Sequence, residues 1–106
     1  MMYQFDLYRS AMQGFMKGYD LILCPACAQP AMPLGVTWED EYFPSFSYTI
    51  DYNFAGFPAG VVRAGTSPEG LPLGVQVVAA PWREDLVLAA LLAVEQESGG
   101  WVAPPL

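Results

Sequence analysis

The amino-acid sequence predicts an α/β fold made of a few strands and helices that form part of a domain. Two helical segments, residues 2–17 and 83–97, lie near the ends of the chain. Three short apolar runs between them have the length of strands and are bounded by proline and glycine. The predicted order is helix, strand, long irregular segment, strand, strand, helix. Three strands are few for an α/β pattern with these helices, so we expect the edge of a larger structure.

The first helix is predicted from apolar residues that recur at steps of three and four. Gly18 provides its stop signal. Residues 21–24 form an apolar run without polar alternation, closed by Pro25. Such a run is typical of a strand that is buried on both faces, usually in a parallel sheet. The predicted apolar face of the helix consists of Phe5, Tyr8, Met12, Phe15 and Met16.

Residues 25–58 show no clear periodicity, except that residues 47–52 suit a helical turn or a short helix. So long an irregular segment is uncommon in a compact domain unless it lines a functional site. We therefore expect it to form the wall of a pocket or of an interface. Its aromatic side chains fit either a core or a wall for an apolar acyl or aryl group. They are Tyr42, Phe43, Phe46, Tyr48, Tyr52, Phe54 and Phe57.

Residues 59–64 and 73–80 are predicted strands, and the two glycines and two prolines of residues 65–72 indicate a tight connection. An antiparallel pair is the simplest arrangement. Arg63 is expected where the first of these strands emerges toward solvent.

The last helix, residues 83–97, has Glu84 and Asp85 in its first turn and ends at Ser98-Gly99-Gly100. Its middle, residues 86–94, is apolar around the whole circumference. A helix of this kind should be packed on more than one side.

The composition argues that much apolar surface is covered by something outside this chain. Charged residues make up 14% and hydrophobic residues 54% of the sequence, whereas about 25% charged residues is ordinary. A small apolar domain with little surface charge is the alternative.

The net charge of −7 argues against nucleic acid and anionic membranes as partners. No run approaches the ~20 apolar residues of a membrane span. The first ten residues lack a signal-peptide pattern, and two cysteines make no disulfide framework, so we expect a cytoplasmic setting.

Catalytic chemistry is poorly represented in the chain. There is no histidine, which excludes Ser-His-Asp and Cys-His arrangements within it. The five serines lie outside any G-x-S-x-G context, and no glycine-rich phosphate loop is present. Lys17 is expected to be a solvated charge. The sequence therefore predicts no catalytic residue, no metal ligand and no cofactor.

Two short motifs have a functional and a structural interpretation. Cys24 and Cys27 form a C-x-x-C, which suits a redox pair or half of a zinc site. No second pair completes a zinc site and Pro30 follows closely, so two small buried apolar residues are favoured. The acidic residues 39–41 suit a metal or an acid/base pair, but neighbouring carboxylates diverge, which favours a solvated loop.

Three ordered segments carry a family resemblance: YDLILCPACAQPA, YTIDYNFAGFPAGVV and GLPLGVQVVAAPWREDLVLAALLAVEQE. They resemble the C-terminal third of the amidase signature family, over residues 8–97. The motif N-x-x-G-x-P-A lies at Asn53–Ala59, G-L-P-x-G-V-Q at Gly70–Gln76, and the final helix at Asp85–Glu95. The sequences SYTIDYNF and LPLGVQVVAAPWREDL are similar to those of the fatty acid amide hydrolase branch.

The residues of these motifs also have direct physical interpretations. Gly56 and Pro58 are expected to fix a tight bend before a buried strand. Gly74 indicates a close approach of backbone in the second strand of the predicted pair. Gln76 is expected to satisfy buried backbone groups where the sheet meets the irregular segment.

The resemblance implies a large α/β/α hydrolase with a central mixed sheet, a Ser–cis-Ser–Lys triad and a backbone oxyanion hole, which cleaves amides and sometimes esters. The triad lies upstream in the family, and no residue of this chain matches it. In the fatty acid amide hydrolase branch, the stretch before N-x-x-x-F-P lines the acyl channel. The resemblance thus implies Phe46, Thr49 and Ile50 as substrate-binding residues, with ordinary core residues as the alternative.

Residues 1–106 are therefore expected to be one partial domain, the C-terminal portion of an amidase-signature hydrolase. It would contribute sheet edge and pocket wall and would need no cofactor. Its expected partner is the remainder of the amidase chain, or a second copy, and the complete enzyme would take a small amide or acyl substrate. A non-catalytic interaction module derived from the same fold is the alternative. A stand-alone small hydrolase is the weakest hypothesis, since no histidine or activated lysine is available.

Overall fold

The computed structural model describes residues 2–105, and its elements follow the predicted order. The segment predicted to be largely irregular contains a 3-10 turn and a nine-residue helix, which confirms the helical interpretation of residues 47–52. The elements are α1 (Met2–Met16), β1 (Leu21–Pro25), the 3-10 turn (Phe43–Phe46), α2 (Ser47–Ala55), β2 (Ala59–Thr66), β3 (Pro72–Ala79) and α3 (Glu84–Ser98).

The three strands form one sheet in the order β1-β3-β2, and both pairs are antiparallel. The β2–β3 hairpin confirms the predicted antiparallel pair. In this register Gln76 of β3 lies between Cys24 of β1 and Val61 of β2. A Cβ at Gly74 would lie 2.7 Å from Val61 Cγ1, so the close approach at this glycine is to a side chain of β2 and not to backbone.

The expectation that β1 is buried on both faces is wrong for the described residues. The strand lies at one edge of the sheet and is antiparallel to β3. Ile22 and Cys24 pack toward the core, but Leu23 on the opposite face is 63% exposed. The cause is that α3 packs over β2 and β3 on that face and leaves the middle of β1 uncovered.

Helices cover both faces of the sheet and create two small cores. Because successive side chains of β3 point to opposite faces, Val78 packs with Met16 of α1 and with Phe57. Val77, by contrast, packs in the second core with Val87 of α3. The described residues thus form three layers, with α1 and α2 on one side of the sheet and α3 on the other.

The bend between α2 and β2 forms as expected. Gly56 has φ 75°, the left-handed conformation that ends α2. Its backbone N–H donates to Asn53 O at 3.2 Å, and Phe57 N donates to Tyr52 O at 3.0 Å. These bonds turn the chain back into the sheet, where Pro58 O accepts from Ala79 N at 3.1 Å.

Arg63 does not emerge toward solvent, contrary to expectation. The side chain is half-buried, and its Nη1 donates to Ser98 O at 3.3 Å and to Gly100 O at 3.1 Å. Its Nη2 donates to Thr66 Oγ1 at 2.8 Å. A cation at this place satisfies carbonyl groups that the end of α3 leaves free. Arg63 therefore fastens the last helix to β2.

Two helices expose apolar side chains. In α3, Leu88 is 66% and Leu92 is 54% exposed, so among the described residues the helix is packed on one side only. In α1, four of the five predicted face residues turn inward, whereas Phe15 is exposed and lies against Tyr19 with ring centroids 5.0 Å apart. Over residues 2–105, no helix is long and apolar enough to cross a membrane.

Candidate functional site

The loop after β1 is tied to the 3-10 turn that precedes α2. Ala28 N donates to Ser45 O at 3.0 Å, and Gln29 Nε2 donates to Ser45 Oγ at 2.9 Å. Ser45 is buried. These two bonds hold a segment without regular secondary structure beside α2.

A second tie comes from Gln76, which is 3% exposed. Its Nε2 lies 2.8 Å from Tyr48 O in the first turn of α2 and 3.4 Å from Pro25 O at the end of β1. Cys24 Sγ accepts from the same nitrogen at 3.2 Å. The expectation that Gln76 satisfies buried backbone groups where the sheet meets the irregular segment is confirmed.

Two clefts adjoin this region, and the loop of residues 25–31 separates them. The first has a volume of about 210 Å³ and the second of about 410 Å³. Within residues 2–105, no charged side chain lines either of them. The first cleft is lined by Cys27, Gln29, Pro30, Ala31, Met32, Thr37 and Phe46. The second is lined by residues 25–31, Val61, Pro72, Leu73 and Gly74.

The three predicted substrate-binding residues lie close together but differ in their surroundings. Phe46 lines the first cleft. Thr49 is half-buried, and its Oγ1 donates to Phe46 O at 2.9 Å, which closes the first turn of α2. Ile50 is 44% exposed and lines neither cleft. The structure thus brings Phe46 into the cleft and leaves the other two on the adjoining helical turn.

The sequence interpretation missed the residues that line both clefts, namely Cys27, Gln29, Pro30 and Ala31. The density of proline after β1 was the available signal, since it predicted a wall without indicating which side chains face inward. The two cysteines are free thiols and differ in role. Cys24 packs against the core, as favoured, but Cys27 faces the clefts.

The aromatic side chains of this region divide between core and surface. Phe57 is buried in the core with Met16, and Tyr52 packs against that core. Phe43 is exposed and stacks on Trp38 with ring centroids 6.3 Å apart. The acidic residues 39–41 are exposed, in agreement with a solvated loop.

Two tyrosines near the core remain protonated over a wide pH range. Burial, with the neighbouring Cys24 thiol as the next cause, raises the pKa of Tyr52 to about 12. Burial also raises the pKa of Tyr8, and the carboxylate of Asp51 adds to the effect. A phenol with so high a pKa does not act as a base at neutral pH.

The hydroxyl groups of Ser67 and Ser98 form hydrogen bonds that stabilise local structure. Ser67 Oγ accepts from Leu71 N at 3.1 Å in the β2–β3 turn, and its hydrogen bond to Glu69 lowers the pKa of that carboxyl. Ser98 Oγ donates to Arg63 O at 2.8 Å. No group of three potential metal ligands occurs in the part of the chain that the structure describes. This region can therefore bind and orient an apolar group but shows no activated nucleophile.

A third cleft, of about 520 Å³, lies between the N-terminal half of α1 and the end of α2. Phe5 and Phe54 form its aromatic floor, with ring centroids 4.4 Å apart, and the guanidinium of Arg9 lies over Phe5. None of the predicted site residues lines it.

Comparison with known proteins gives the family. The model of the amidase family matches residues 2–88. The A subunit of the glutamyl-tRNA(Gln) amidotransferase of Dinoroseobacter shibae is 38% identical over 94 residues, which are 86% of this chain and 19% of that protein. The corresponding protein of Ruegeria pomeroyi is 39% identical over 94 residues, with the same shares of both chains.

Solved structures agree. A 6-aminohexanoate cyclic dimer hydrolase is 25% identical with a TM-score of 0.82, over 94% of this chain and 24% of its own. The A subunit of the glutamyl-tRNA(Gln) amidotransferase of Thermotoga maritima is 31% identical with a TM-score of 0.76, over 85% of this chain and 20% of its own. The chain spans about a fifth of the curated relatives it matches. By sequence and by fold, the chain belongs to the amidase family.

Proposed function

We propose that this chain is the C-terminal part of an amidase that hydrolyses amides of neutral, apolar acyl groups. Its role is to form one wall of the acyl-binding channel and one edge of the central sheet. The observation that carries the proposal is the uncharged wall built by residues 25–31 and by Phe46, the residue directly before α2. Thr49 and Ile50 extend this wall along α2 once the rest of the enzyme is present.

The nucleophile is assigned to the absent part of the enzyme. Amidase-signature enzymes resembling this chain carry their Ser–cis-Ser–Lys triad upstream. The side chains of Ser45, Ser67 and Ser98 bond to backbone or to neighbouring side chains, and Ser10, Ser47 and Lys17 are exposed. In this arrangement the chain contributes binding energy for the acyl group, which positions the amide carbonyl for attack.

The lining of the clefts supports a neutral substrate, as in the fatty acid amide hydrolase branch. The four basic residues of the chain, Arg9, Lys17, Arg63 and Arg83, lie outside both clefts. An acidic acyl group would be buried here without a compensating cation, which is costly. Apolar acyl or aryl chains lose no such interaction.

The remainder of the amidase is the proposed partner. The outer edges of β1 and β2 are unpaired among the described residues, and Leu23, Leu88 and Leu92 are exposed beside the sheet. Unpaired edges and apolar patches of this kind are normally covered. A chain isolated from the rest of the enzyme would associate with itself through the same surface. The two free thiols fit a reducing, cytoplasmic setting.

The same exposed surface favours a second candidate, a non-catalytic module that binds another protein. The two functions differ in what the chain does when it is joined to an amidase catalytic region. A module would leave hydrolysis unaffected, whereas a channel wall would restore it.

A fusion protein tests the proposal. The 94-residue segment of the D. shibae relative that aligns with this chain would be replaced by this chain, and a truncated relative without that segment is the control. Hydrolysis of decanoyl and succinyl p-nitroanilides is measured. We expect the fusion to hydrolyse the decanoyl substrate in preference to the succinyl one, and the truncated protein to hydrolyse neither. A monodisperse, cooperatively melting fusion without activity, or one that prefers the acidic succinyl group, would contradict the proposal.

A further inference from the structure

We propose that Gln76 is a positioning residue that sets the width of the acyl-binding channel, because it joins the start of α2 to the end of β1. This inference rests on the proposed function, since it assigns a role in that same wall. Gln76 does not itself line either cleft. It acts through Pro25, which lines the second cleft, and through the first turn of α2, which directly follows Phe46 of the first cleft.

The hydrogen-bond geometry fixes which end of the amide faces the wall. Two carbonyl oxygens, those of Tyr48 and Pro25, lie within 3.4 Å of the same side-chain atom. A carbonyl group accepts hydrogen bonds and cannot donate them, so this atom must be the amide nitrogen. One hydrogen goes to Tyr48 O at 2.8 Å, and the other is shared between Pro25 O and Cys24 Sγ.

The backbone under Gln76 is held on both sides. Gln76 lies in β3, the central strand, opposite Cys24 in β1 and Val61 in β2. Its side chain is 3% exposed, so it has no solvent-facing alternative. The amide group of Gln76 is therefore fixed in place, and its hydrogen bonds determine where the two segments lie.

The two carbonyl groups belong to two different segments next to the clefts. Tyr48 is two residues after Phe46 and directly before Thr49, so its carbonyl group belongs to the first turn of α2 and moves with it. Pro25 begins the loop of residues 25–31 that separates the clefts. A single side chain thus links the helical turn that follows Phe46 to the start of the loop that bears Pro30.

A second tie shows that this wall is held at two points. Ser45 binds Gln29 and Ala28 from the other end of the same loop. With Gln76 removed, the Ser45 bonds remain, and the loop and α2 can separate only at the end next to Pro25 and Tyr48. The expected effect is a widened channel for the acyl chain in an otherwise folded domain.

The test uses the fusion described above and compares Gln76→Met, which has similar volume but no donor, with Gln96→Met on the exposed side of α3. We expect Gln76→Met to lower kcat/KM for the decanoyl anilide about tenfold, mainly through KM, and to change that for the acetyl anilide less than twofold. Gln96→Met should change neither. Should Gln76→Met be insoluble, Gln76→Asn, which keeps the amide but shortens its reach, is expected to give the same split at about threefold.

Equal losses for both substrates would mean a purely structural role and would overturn the inference, as would unchanged kinetics.

Hydrogen exchange of the 106-residue chain separates this inference from the proposed function. We expect Gln76→Met to increase exchange in residues 26–31 and 47–50 and not in α3. If the unsubstituted fusion is inactive but this local change occurs, the proposed function fails and the positioning role stands. Exchange that rises equally in α3, or does not rise at all, overturns the positioning role.

Discussion

The packing of α3 against β2 depends on a single absent side chain, that of Gly60. An ideal Cβ at this position would lie 2.5 Å from Leu91 Cδ1 and 3.3 Å from Val87 Cγ1. The end of Leu91 can rotate away, but Val87 is buried and its branched side chain has one preferred rotamer in a helix. Gly60→Ala should therefore push α3 away from the sheet.

The size of the effect follows from two opposing contributions. Inserting a methyl group into a filled contact costs about 1–3 kcal/mol. Replacing glycine reduces the freedom of the unfolded chain, which returns about 0.5 kcal/mol. We expect a net loss of about 1–2 kcal/mol in the free energy of unfolding of the 106-residue chain. Urea unfolding followed by far-ultraviolet circular dichroism at one fixed protein concentration measures it.

A matched variant and a double mutant sharpen the test. Gly14→Ala lies in α1 with nothing within 4 Å of the added Cβ, and it should stabilise the chain by about 0.5–1 kcal/mol because alanine favours a helix. Leu91→Ala makes room for the new methyl group, so the double variant Gly60→Ala/Leu91→Ala should lose less than the sum of the single variants. A Gly60→Ala chain that unfolds at the wild-type urea concentration, or strictly additive losses, would refute the packing argument.

Three further predictions concern the exposed leucines of α3, the contact of Arg63 with the end of α3, and the phenol of Tyr52. Replacing Leu88 and Leu92 with glutamate should shift the isolated chain toward monomer in sedimentation velocity, because both side chains are exposed. A wild-type chain that is already monomeric and unfolds cooperatively would contradict this. Arg63→Met should lower the free energy of unfolding by about 1–2 kcal/mol and raise hydrogen exchange at the end of α3, since two carbonyl groups lose a charged donor. Tyr52 has its folded pKa raised to about 12, so its stabilising contribution is complete below pH 10 and is lost as pH rises from about 10 to 12. Solvent screening of the half-buried ring limits that contribution to about 1 kcal/mol. Urea unfolding at pH 9 and 11 should show the loss in wild type and a smaller one in Tyr52→Phe.

Local signals in the sequence were sufficient for most elements of the fold. The helix at α3 follows from its acidic first turn and its glycine stop, and Gly99 indeed ends it with φ 83°. The β2–β3 hairpin follows from the proline- and glycine-rich connection between two apolar runs. The same local reasoning located α2 and the bend at Gly56.

What the sequence did not reveal depends on long-range neighbours. The apolar run of β1 has no feature that distinguishes burial on one face from burial on two, and only the placement of α3 leaves Leu23 exposed. Arg63 looks like a surface residue until the end of α3, 35 residues later, is brought to it. Cys27 and Gln29 line the clefts because the loop is tied to Ser45, a contact without any periodic signature. Gln76 was identified correctly because a buried amide needs partners, and it finds them in Pro25 O at the end of β1 and Tyr48 O in the first turn of α2.

We propose that this chain forms a channel wall and contains no activated nucleophile. The most direct test is intact mass spectrometry of the purified chain after treatment with a fluorophosphonate, which labels activated serines. We predict a single unlabelled species at 11.6 kDa, and stoichiometric labelling of the fusion protein at a serine upstream of this segment. A stoichiometric adduct on the isolated chain would contradict the account, because one of its own serines would then be the nucleophile.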